Sequence, residues 1–333
     1  MDQVSSNSSS SNVDSTISAL RKDLTSEDVA LARRFRALFS LKHVASQSPG
    51  PQATAAIEAI AAAFASPSAL LKHELAYCLG QTRNLYSVPF LRAVLENRSE
   101  DAMCRHEAAE ALGALGDLSS LEIMKQMKDD DKEPVVVRET CDIAIDRIQW
   151  AHSQGRQDEA LKPSDFASID PAPPMPFSTQ TPSIPELQKT LLDTSLPLFQ
   201  RYRAMFALRD LASPPDLPTA EAAVQALASG FADPSALFRH EVAFVFGQLS
   251  HPASIPALVS VLENGKEESM VRHEAAEALG SLGEEPGVED ILKKFLEDPE
   301  QVVRESVIVA LDMAEYEKNG EMEYATVPAA VAT

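Results

Sequence analysis

Several features that mark other protein classes are scarce or missing in this sequence of 333 residues. It has three cysteines and no Cys-x-x-Cys pair, which argues against a disulfide framework and against a cysteine-rich zinc site. It has no run of about 18 apolar residues, so no membrane span is expected. The N-terminus has neither a basic region nor an apolar stretch and does not resemble a signal peptide. These absences favour a cytoplasmic protein.

Basic residues are also few. The chain has 29 Lys and Arg against 50 Asp and Glu, a net charge of −21. A nucleic-acid-binding protein needs a basic footprint, so that class is disfavoured. The acidic excess helps to keep a protein soluble and would favour a cationic partner. The 12 glycines form no GxGxxG loop, so the sequence gives no sign of a flavin or nicotinamide site.

An internal repeat dominates what is present. The segment RHEAAEALG at 105–113 recurs without change at 272–280, and PSALLKHELAYCLGQ at 67–81 matches PSALFRHEVAFVFGQ at 234–248. In both matches the second copy follows the first at the same distance along the chain. Such self-similarity over long segments is the signature of a repeat protein, so the second half is a copy of the first.

Each half divides into units of about 33 residues that read as two short helices. Apolar residues recur at i, i+3, i+4 and i+7, with little strand-like alternation. Four glycines are interpreted as C-caps of the helices before them: Gly80, Gly113, Gly247 and Gly280. Neither the ankyrin nor the tetratricopeptide signature is present, whereas VRHEAAEALG is similar to the short HEAT-like repeat. The predicted fold is all-α, an α-solenoid of HEAT-like helical hairpins in two four-hairpin halves related by internal duplication.

The expected organisation has five parts. They are a disordered Ser-rich tail at 1–25, an N-terminal HEAT-like half at 26–151, a Pro-rich linker at 152–185, a C-terminal HEAT-like half at 186–318 and a flexible tail at 319–333. The hairpins of the first half are expected to begin near 30, 67, 100 and 134, and those of the second near 197, 234, 267 and 299.

Four His-Glu dipeptides are the most regular polar feature. The two pairs of one half have the same spacing as the two pairs of the other, and they are His73-Glu74, His106-Glu107, His240-Glu241 and His273-Glu274. Equivalent residues of successive repeats line up on one surface of a solenoid, so the four imidazoles should converge if the halves face each other. Two histidines and one carboxylate from each half, with open positions, suit non-haem Fe(II), although zinc accepts the same ligands.

Other repeated residues are given structural roles. Glu110 and Glu277 lie one helical turn beyond two of the pairs and are expected to be exposed or capping. Arg105 and Arg272 precede the same pairs and are expected to form interhelix hydrogen bonds. The three cysteines, Cys78, Cys104 and Cys141, each align with a valine in the other half and are predicted to be small core residues.

Eight hairpins in two halves, four His-Glu pairs and a linker between the halves resemble the deoxyhypusine hydroxylase family over residues 25–318. The resemblance implies a monooxygenase with two Fe(II) ions per chain. It also implies that the substrate is the deoxyhypusine side chain of translation initiation factor 5A, with O₂ and an external electron donor.

By the same resemblance, one iron takes His73, His106 and Glu107 as ligands, and the other takes His240, His273 and Glu274. The resemblance also implies that Glu74 and Glu241 contact the substrate amine. No catalytic residue beyond the metal centre is implied. Three alternatives stay open on the residues alone: a metal-free HEAT-repeat scaffold or adaptor, a bilin lyase with related repeats, and a di-zinc or di-manganese hydrolase.

Overall fold

The computed structural model describes residues 4–47, 50–154, 156, 159, 161, 165–176 and 182–318. Side chains are described between residues 13 and 316 of these ranges. Within this part of the chain all regular structure is helical, as predicted, and no strand occurs. The tail predicted at 319–333 lies outside the described residues. No described helix is long and apolar enough to cross a bilayer.

The first half consists of four helical hairpins. Its helices are α1 (Val4–Thr25), α2 (Leu31–Ala45), α3 (Pro51–Ala61), α4 (Ala69–Gln81), α5 (Val88–Glu96), α6 (Ala102–Leu115), α7 (Leu121–Asp129) and α8 (Val135–Ala151). Hydrogen-bonding side chains mark several helix starts, since the Ser68 hydroxyl accepts from the Leu71 N–H and the Asp101 carboxylate accepts from the Met103 N–H.

The second half repeats this order. Its helices are α9 (Ile184–Leu192), α10 (Leu198–Leu211), α11 (Ala220–Ala228), α12 (Ala236–Leu249), α13 (Ile255–Glu263), α14 (Ser269–Gly280), α15 (Val288–Lys293) and α16 (Gln301–Lys318). The predicted hairpin starts are wrong, because each of these positions lies within two residues of the start of an even-numbered helix, which is the second helix of its hairpin. The outer helix of the same hairpin comes before it.

The even-numbered helices form a closed inner ring. Each packs on the next, α8 meets α10, and α16 returns to pack on α2. The apolar core follows the same path, because Val309 of α16 belongs to the core of the first half while Met103 and Ile143 belong to that of the second. The inner faces of both halves therefore enclose one central space.

The N-terminal segment differs from its prediction. Residues 1–25 are expected to be a disordered tail, whereas the structure has a helix at Val4–Thr25 that forms the outer helix of the first hairpin. Ile17, Leu20 and Leu24 are buried in the core at helical spacing. The repeat makes them equivalent to Ile184, Leu187 and Leu191 of α9. The sequence therefore contains the apolar pattern of a helix here, although the serine-rich composition suggests disorder.

The repeated glycines lie inside helices, so the C-cap interpretation is wrong. Gly80, Gly113 and Gly247 are interior residues of their helices, and Gly280 is the last residue of α14. A Cβ on Gly80 would lie 2.8 Å from the Cα of Ala111 on α6. These glycines therefore allow neighbouring inner helices to approach closely.

The linker crosses one face of the ring. Ile169 donates its N–H to Oε1 of Gln81 at 2.7 Å, and its carbonyl accepts from the same amide at 3.3 Å. On the other half, Gln248 donates to the Ser168 hydroxyl at 2.7 Å. Gln81 and Gln248 are equivalent residues of the two halves. Residues 166–170, called the linker strap below, thus contact both halves at equivalent positions.

Candidate metal centre

The four histidines of the His-Glu pairs meet inside the ring. They come from α4, α6, α12 and α14, and the measured pairs of ring centroids are 5.2 to 5.8 Å apart. Each histidine lies in the first half of its helix, and the repeat places that position toward the centre. The prediction that the halves bring these rings together is correct.

The four imidazoles form no hydrogen bonds within the described protein. All four rings are buried, and none of their eight nitrogen atoms has a hydrogen-bond partner among the described residues. Buried polar groups in folded proteins are almost always paired, because an unpaired group loses its hydration without compensation. Each neutral imidazole offers one lone-pair nitrogen, so four convergent rings fit a group that accepts lone pairs, which is the chemistry of a metal ion.

Two carboxylates complete the cluster. Oε2 of Glu107 lies 3.2 Å from Nε2 of His73, and Oε2 of Glu274 lies 3.4 Å from Nε2 of His240. Potential ligand atoms of His240, His273 and Glu274 all lie within 4.8 Å of one another.

A second potential ligand group spans the two halves. It consists of His73, His106 and His240, whose ligand atoms also lie within 4.8 Å of one another. The structure thus brings all six predicted ligands into one cluster that has the composition and spacing of a metal-binding site.

The ionisation of the cluster suits metal binding. Burial lowers the pKa of His73, and burial together with neighbouring imidazoles holds the pKa values of His106 and His273 well below the usual range. These rings are therefore neutral near pH 7, the form that ligates metals. Burial raises the pKa of Glu107 to about 8 in the metal-free protein. A cation beside this carboxylate would favour its ionised form.

A cavity of about 230 Å³ adjoins the cluster. Glu74 and Glu241, the predicted amine-contacting residues, both lie in its wall. Burial raises the pKa of Glu74 to about 7, and burial with the charge of Glu110 raises that of Glu241 further. The remaining wall is lined by Phe39, Lys42, His73, Tyr77, Glu107, Glu110, His240, Phe244, Glu274 and Glu277.

Two of these wall residues correct a prediction. Glu110 and Glu277 are expected to be exposed or capping, but both face the cavity. The Glu277 side chain is 24% exposed and accepts a hydrogen bond from Ser306 at 3.2 Å. The signal was available in the sequence, because Glu110 follows His106 by four residues and so shares its helix face.

The other structural assignments are confirmed. Nε of Arg105 donates to the Leu95 carbonyl at 2.9 Å, and Nε of Arg272 donates to the Leu262 carbonyl at 3.0 Å. These bonds join an inner helix to the outer helix of the same hairpin. All three cysteines are free and buried, as predicted.

The fold and the cluster define a class, an all-helical HEAT-repeat protein with a His/Glu group able to hold metal. The sequence profile of HEAT repeats matches residues 56–142 and 221–312. The chain is 72% identical over 320 residues to the deoxyhypusine hydroxylase of Phaeosphaeria nodorum, covering 96% of this chain and 97% of that one. It is 70% identical over 316 residues to the enzyme of Aspergillus clavatus, covering 95% and 94%.

A solved structure agrees with these relatives. Human deoxyhypusine hydroxylase in complex with glycerol superposes with a TM-score of 0.80 at 44% identity, covering 92% of this chain and 98% of the human one. The chain belongs to the deoxyhypusine hydroxylase family and is an enzyme.

Proposed function

We propose that the enzyme is a di-iron monooxygenase that hydroxylates the deoxyhypusine side chain of translation initiation factor 5A and so completes hypusine. The observation that carries the proposal is the buried cluster of four imidazoles without hydrogen bonds and two carboxylates, contributed equally by the two halves. A purely structural scaffold would not need to bury so many polar atoms without partners.

The donor set favours iron in two three-ligand sites. We assign His73, His106 and Glu107 to one ion and His240, His273 and Glu274 to the other. Two histidines and a carboxylate with open positions are the ligands of non-haem Fe(II) oxygenases. When bound, the irons supply the oxidising power that inserts an oxygen atom from O₂ at an unactivated carbon.

The chain's own residues hold and orient the substrate. Deoxyhypusine carries two amines, which are cationic at neutral pH, and Glu74 and Glu241 lie in the cavity wall beside the proposed irons. Carboxylates form short charge-assisted hydrogen bonds with ammonium groups. These bonds would fix the aliphatic part of the side chain against the metal centre, so that one carbon is presented for reaction.

The proposal requires further partners. Electrons must come from an external donor, since the sequence has no flavin or nicotinamide motif. The net charge of −21 supports attraction of a cationic side chain. We also propose a cytoplasmic location, which the three free, buried cysteines support.

Mass spectrometry with labelled oxygen tests the reaction. The purified enzyme is incubated with the deoxyhypusine-bearing factor, a reductant and ¹⁸O₂, and the factor is expected to gain one labelled oxygen atom. Metal analysis of the same sample should give about two irons per chain, as the two His₂Glu sets require. Full activity without iron, or a product oxygen that derives from water, would contradict the proposal.

A further inference from the structure

The internal repeat gives the cavity two equivalent ends, each built from one glutamate of either half. Glu74 and Glu277 belong to the first end, which also contains Lys42. Glu241 and Glu110 belong to the second end, and Glu110 is the charge that acts most strongly on Glu241. Because the repeat relates Glu74 to Glu241 and Glu110 to Glu277, any difference between the ends comes from their surroundings.

The protein itself supplies partners at the first end. The Cys78 thiol donates to Oε1 of Glu74 at 3.7 Å. The Ser306 hydroxyl donates to Oε1 of Glu277 at 3.2 Å. Lys42 lines the cavity together with Glu74 and supplies a cation at this end. Two hydrogen bonds and one cation therefore compensate this pair of carboxylates.

The second end has neither of the equivalent hydrogen bonds. Val245 stands where the first half has Cys78, so no thiol can reach Glu241. Thr140 aligns with Ser306, but its hydroxyl donates to the Val136 carbonyl at 2.8 Å. Oε1 of Glu241 is consequently buried without any hydrogen-bond partner among the described residues, and the whole residue is only 1% exposed.

The linker strap holds Arg209, the residue equivalent to Lys42, away from the cavity. Arg209 aligns with Lys42, but its Nη1 lies 2.8 Å from Oδ2 of Asp170 in the strap and donates to Gln248 at 2.9 Å. Its Nη2 also donates to Oδ1 of Asp210 at 3.2 Å. Phe166 of the strap covers the guanidinium, whose carbon lies 4.3 Å from the ring centroid. Arg209 is 0% exposed and does not line the cavity. The strap therefore holds the cation of the second end outside the cavity, whereas Lys42 and Phe39 line the first end.

Two neighbouring carboxylates without a protein cation or donor are costly to bury. A ligand that brings an ammonium group would provide both the charge and the N–H donors that the second end lacks. Deoxyhypusine has a primary amine at the far end of its side chain, which can bring such an ammonium group to the second end.

We infer that Glu110, together with Glu241, binds the terminal ammonium group of the deoxyhypusine side chain, and that Asp170 keeps Arg209 from occupying this place. The inference rests on the proposed function and deepens it. It adds Glu110 as a specificity-determining residue and Asp170 as a positioning residue, and it gives the substrate one direction of insertion.

Binding of two matched peptides tests the inference. One carries deoxyhypusine, and the other carries N-butyl-lysine, which lacks only the terminal amine. Affinities are measured with iron-loaded enzyme in the absence of O₂, so that no turnover occurs. A lost hydrogen bond to a charged group corresponds to about 10- to 100-fold in affinity. Glu110→Gln should lower the preference for deoxyhypusine by about that factor, whereas Glu277→Gln, the equivalent change at the first end, should keep it.

The outcomes separate this inference from the proposed function. If Glu110→Gln retains both iron and the full preference, or loses iron, the inference is overturned, because Glu110 is then either idle or a metal ligand. If unmodified enzyme neither binds nor hydroxylates the deoxyhypusine peptide, the proposed function itself fails.

A second set of variants tests the strap. Asp170→Asn should release Arg209 toward Glu241 and weaken deoxyhypusine binding about tenfold or more, with little effect on the butyl peptide. The double variant Asp170→Asn/Arg209→Gln should recover the preference for deoxyhypusine. Equal weakening for both peptides, or no recovery in the double variant, would contradict the role assigned to Asp170.

Discussion

The histidine side chains at the centre of the ring can be replaced by few other residues. His106 is completely buried, and neither of its ring nitrogens has a protein partner among the described residues. The neutral state of this imidazole follows from burial and from the neighbouring rings of His240 and His73, which lower its pKa. A side chain at this position must therefore be a neutral lone-pair donor, and that requirement explains why His106 recurs as His273 while histidines outside the four pairs do not recur.

Replacing one ligand should empty one iron site. His106→Ala is expected to lower the iron content to one ion per chain or less and to reduce metal affinity by more than about 100-fold, since even partners outside the ligand set contribute 10- to 100-fold. Metal analysis after dialysis measures the loss. His43→Ala is the control, because His43 is exposed and lies outside the cluster. Retention of two irons by His106→Ala would refute the assignment.

Equivalent glycines should respond differently to the same substitution. A Cβ on Gly80 would meet the Cα of Ala111 at 2.8 Å, whereas a Cβ on Gly247 would meet that of Ala278 at 3.5 Å, an ordinary contact. Gly80→Ala should destabilise the fold by about 1–3 kcal/mol through overpacking. Gly247→Ala should stabilise it by about 0.5–1 kcal/mol, because alanine is the better helix former. Urea unfolding measures both, and equal effects would contradict the packing difference.

At the residue scale, repetition made the ligands predictable. Six candidate ligands were identified because they recur in the sequence, and the structure gathers all six. The same argument was not applied to Glu110 and Glu277, which recur equally and were assigned to the surface. The role of Arg209 could not be predicted, because it depends on Asp170, which belongs to the linker and has no counterpart in the repeat.

In four of the eight hairpins, an arginine joins the inner helix to a leucine at the end of the outer helix. Nε donates to the carbonyl of a leucine at the end of the outer helix, and the four bonds are Arg34 to Leu24, Arg105 to Leu95, Arg201 to Leu191 and Arg272 to Leu262. A carboxylate pairs with each guanidinium, as Asp298 does with Arg272 through two hydrogen bonds of 3.0 and 2.5 Å. This unit satisfies a carbonyl that the last turn of the outer helix leaves free.

Removing the carboxylate should weaken the hairpin. Asp298→Ala leaves Arg272 buried and unpaired and is expected to cost about 3–5 kcal/mol. Glu96→Ala, which removes an exposed i,i+4 partner of Arg92, is the control and should cost no more than about 0.5 kcal/mol. Chemical denaturation compares the two, and similar values would contradict the importance of burial.

The same pair gives a pH dependence. Burial opposes ionisation of Asp298, but hydrogen bonds from Arg272 and from the backbone of Glu300 outweigh it and lower the pKa. Because the folded pKa lies below the unfolded value of 3.8, the stabilisation is present above that pH and is lost as the pH falls further. The difference in unfolding free energy between the native chain and Asp298→Ala should therefore shrink below about pH 4. A difference that stays constant down to about pH 2 would contradict this.

At the element scale, inner helices were predicted more accurately than their neighbours. They begin within two residues of the positions predicted for hairpin starts, because each carries repeated apolar positions, in several cases with a polar N-cap signal such as Ser68. The prediction was wrong in taking them as the first helix of each hairpin, since an outer helix precedes each one. Helix α1 was missed because its serine-rich beginning suggests disorder, although Ile17, Leu20 and Leu24 repeat the pattern of α9. The prediction of disorder followed the serine-rich composition, whereas the spacing of the apolar residues correctly indicates a helix.

In the whole molecule, the ring closes through two equivalent contacts. The Ser68 hydroxyl donates to Oε2 of Glu305 at 2.7 Å where α4 meets α16, and the Ser235 hydroxyl donates to Oε2 of Glu139 at 2.7 Å where α12 meets α8. Arg36 of α2 adds an ion pair with Asp312 of α16. The closure was not predictable from the repeat pattern, which describes contacts between successive units but not those between the first unit and the last.

The closure and the metal centre should stabilise one another. The double variant Glu139→Ala/Glu305→Ala removes both contacts and should cost about 1 kcal/mol for each hydrogen bond. The loss in melting temperature should be larger after chelation than before, because removal of metal would leave the facing histidines of the two halves buried without a ligand and so weaken the other contact between the halves. The control is Glu96→Ala/Glu263→Ala, at equivalent exposed positions of α5 and α13. Equal losses with and without chelator would show that the two features are independent.

The pseudo-twofold ring also bears on ancestry. Each half supplies two of the four central histidines, and its second and last inner helices meet the other half through the same Ser–Glu contact. A chain of half this length could therefore assemble the entire centre as a symmetric homodimer, with both interfaces of the pair identical. Gene fusion of such a dimer would free one copy to diverge from the other. The connecting peptide created by that fusion then became the means of making the two active-site ends chemically distinct.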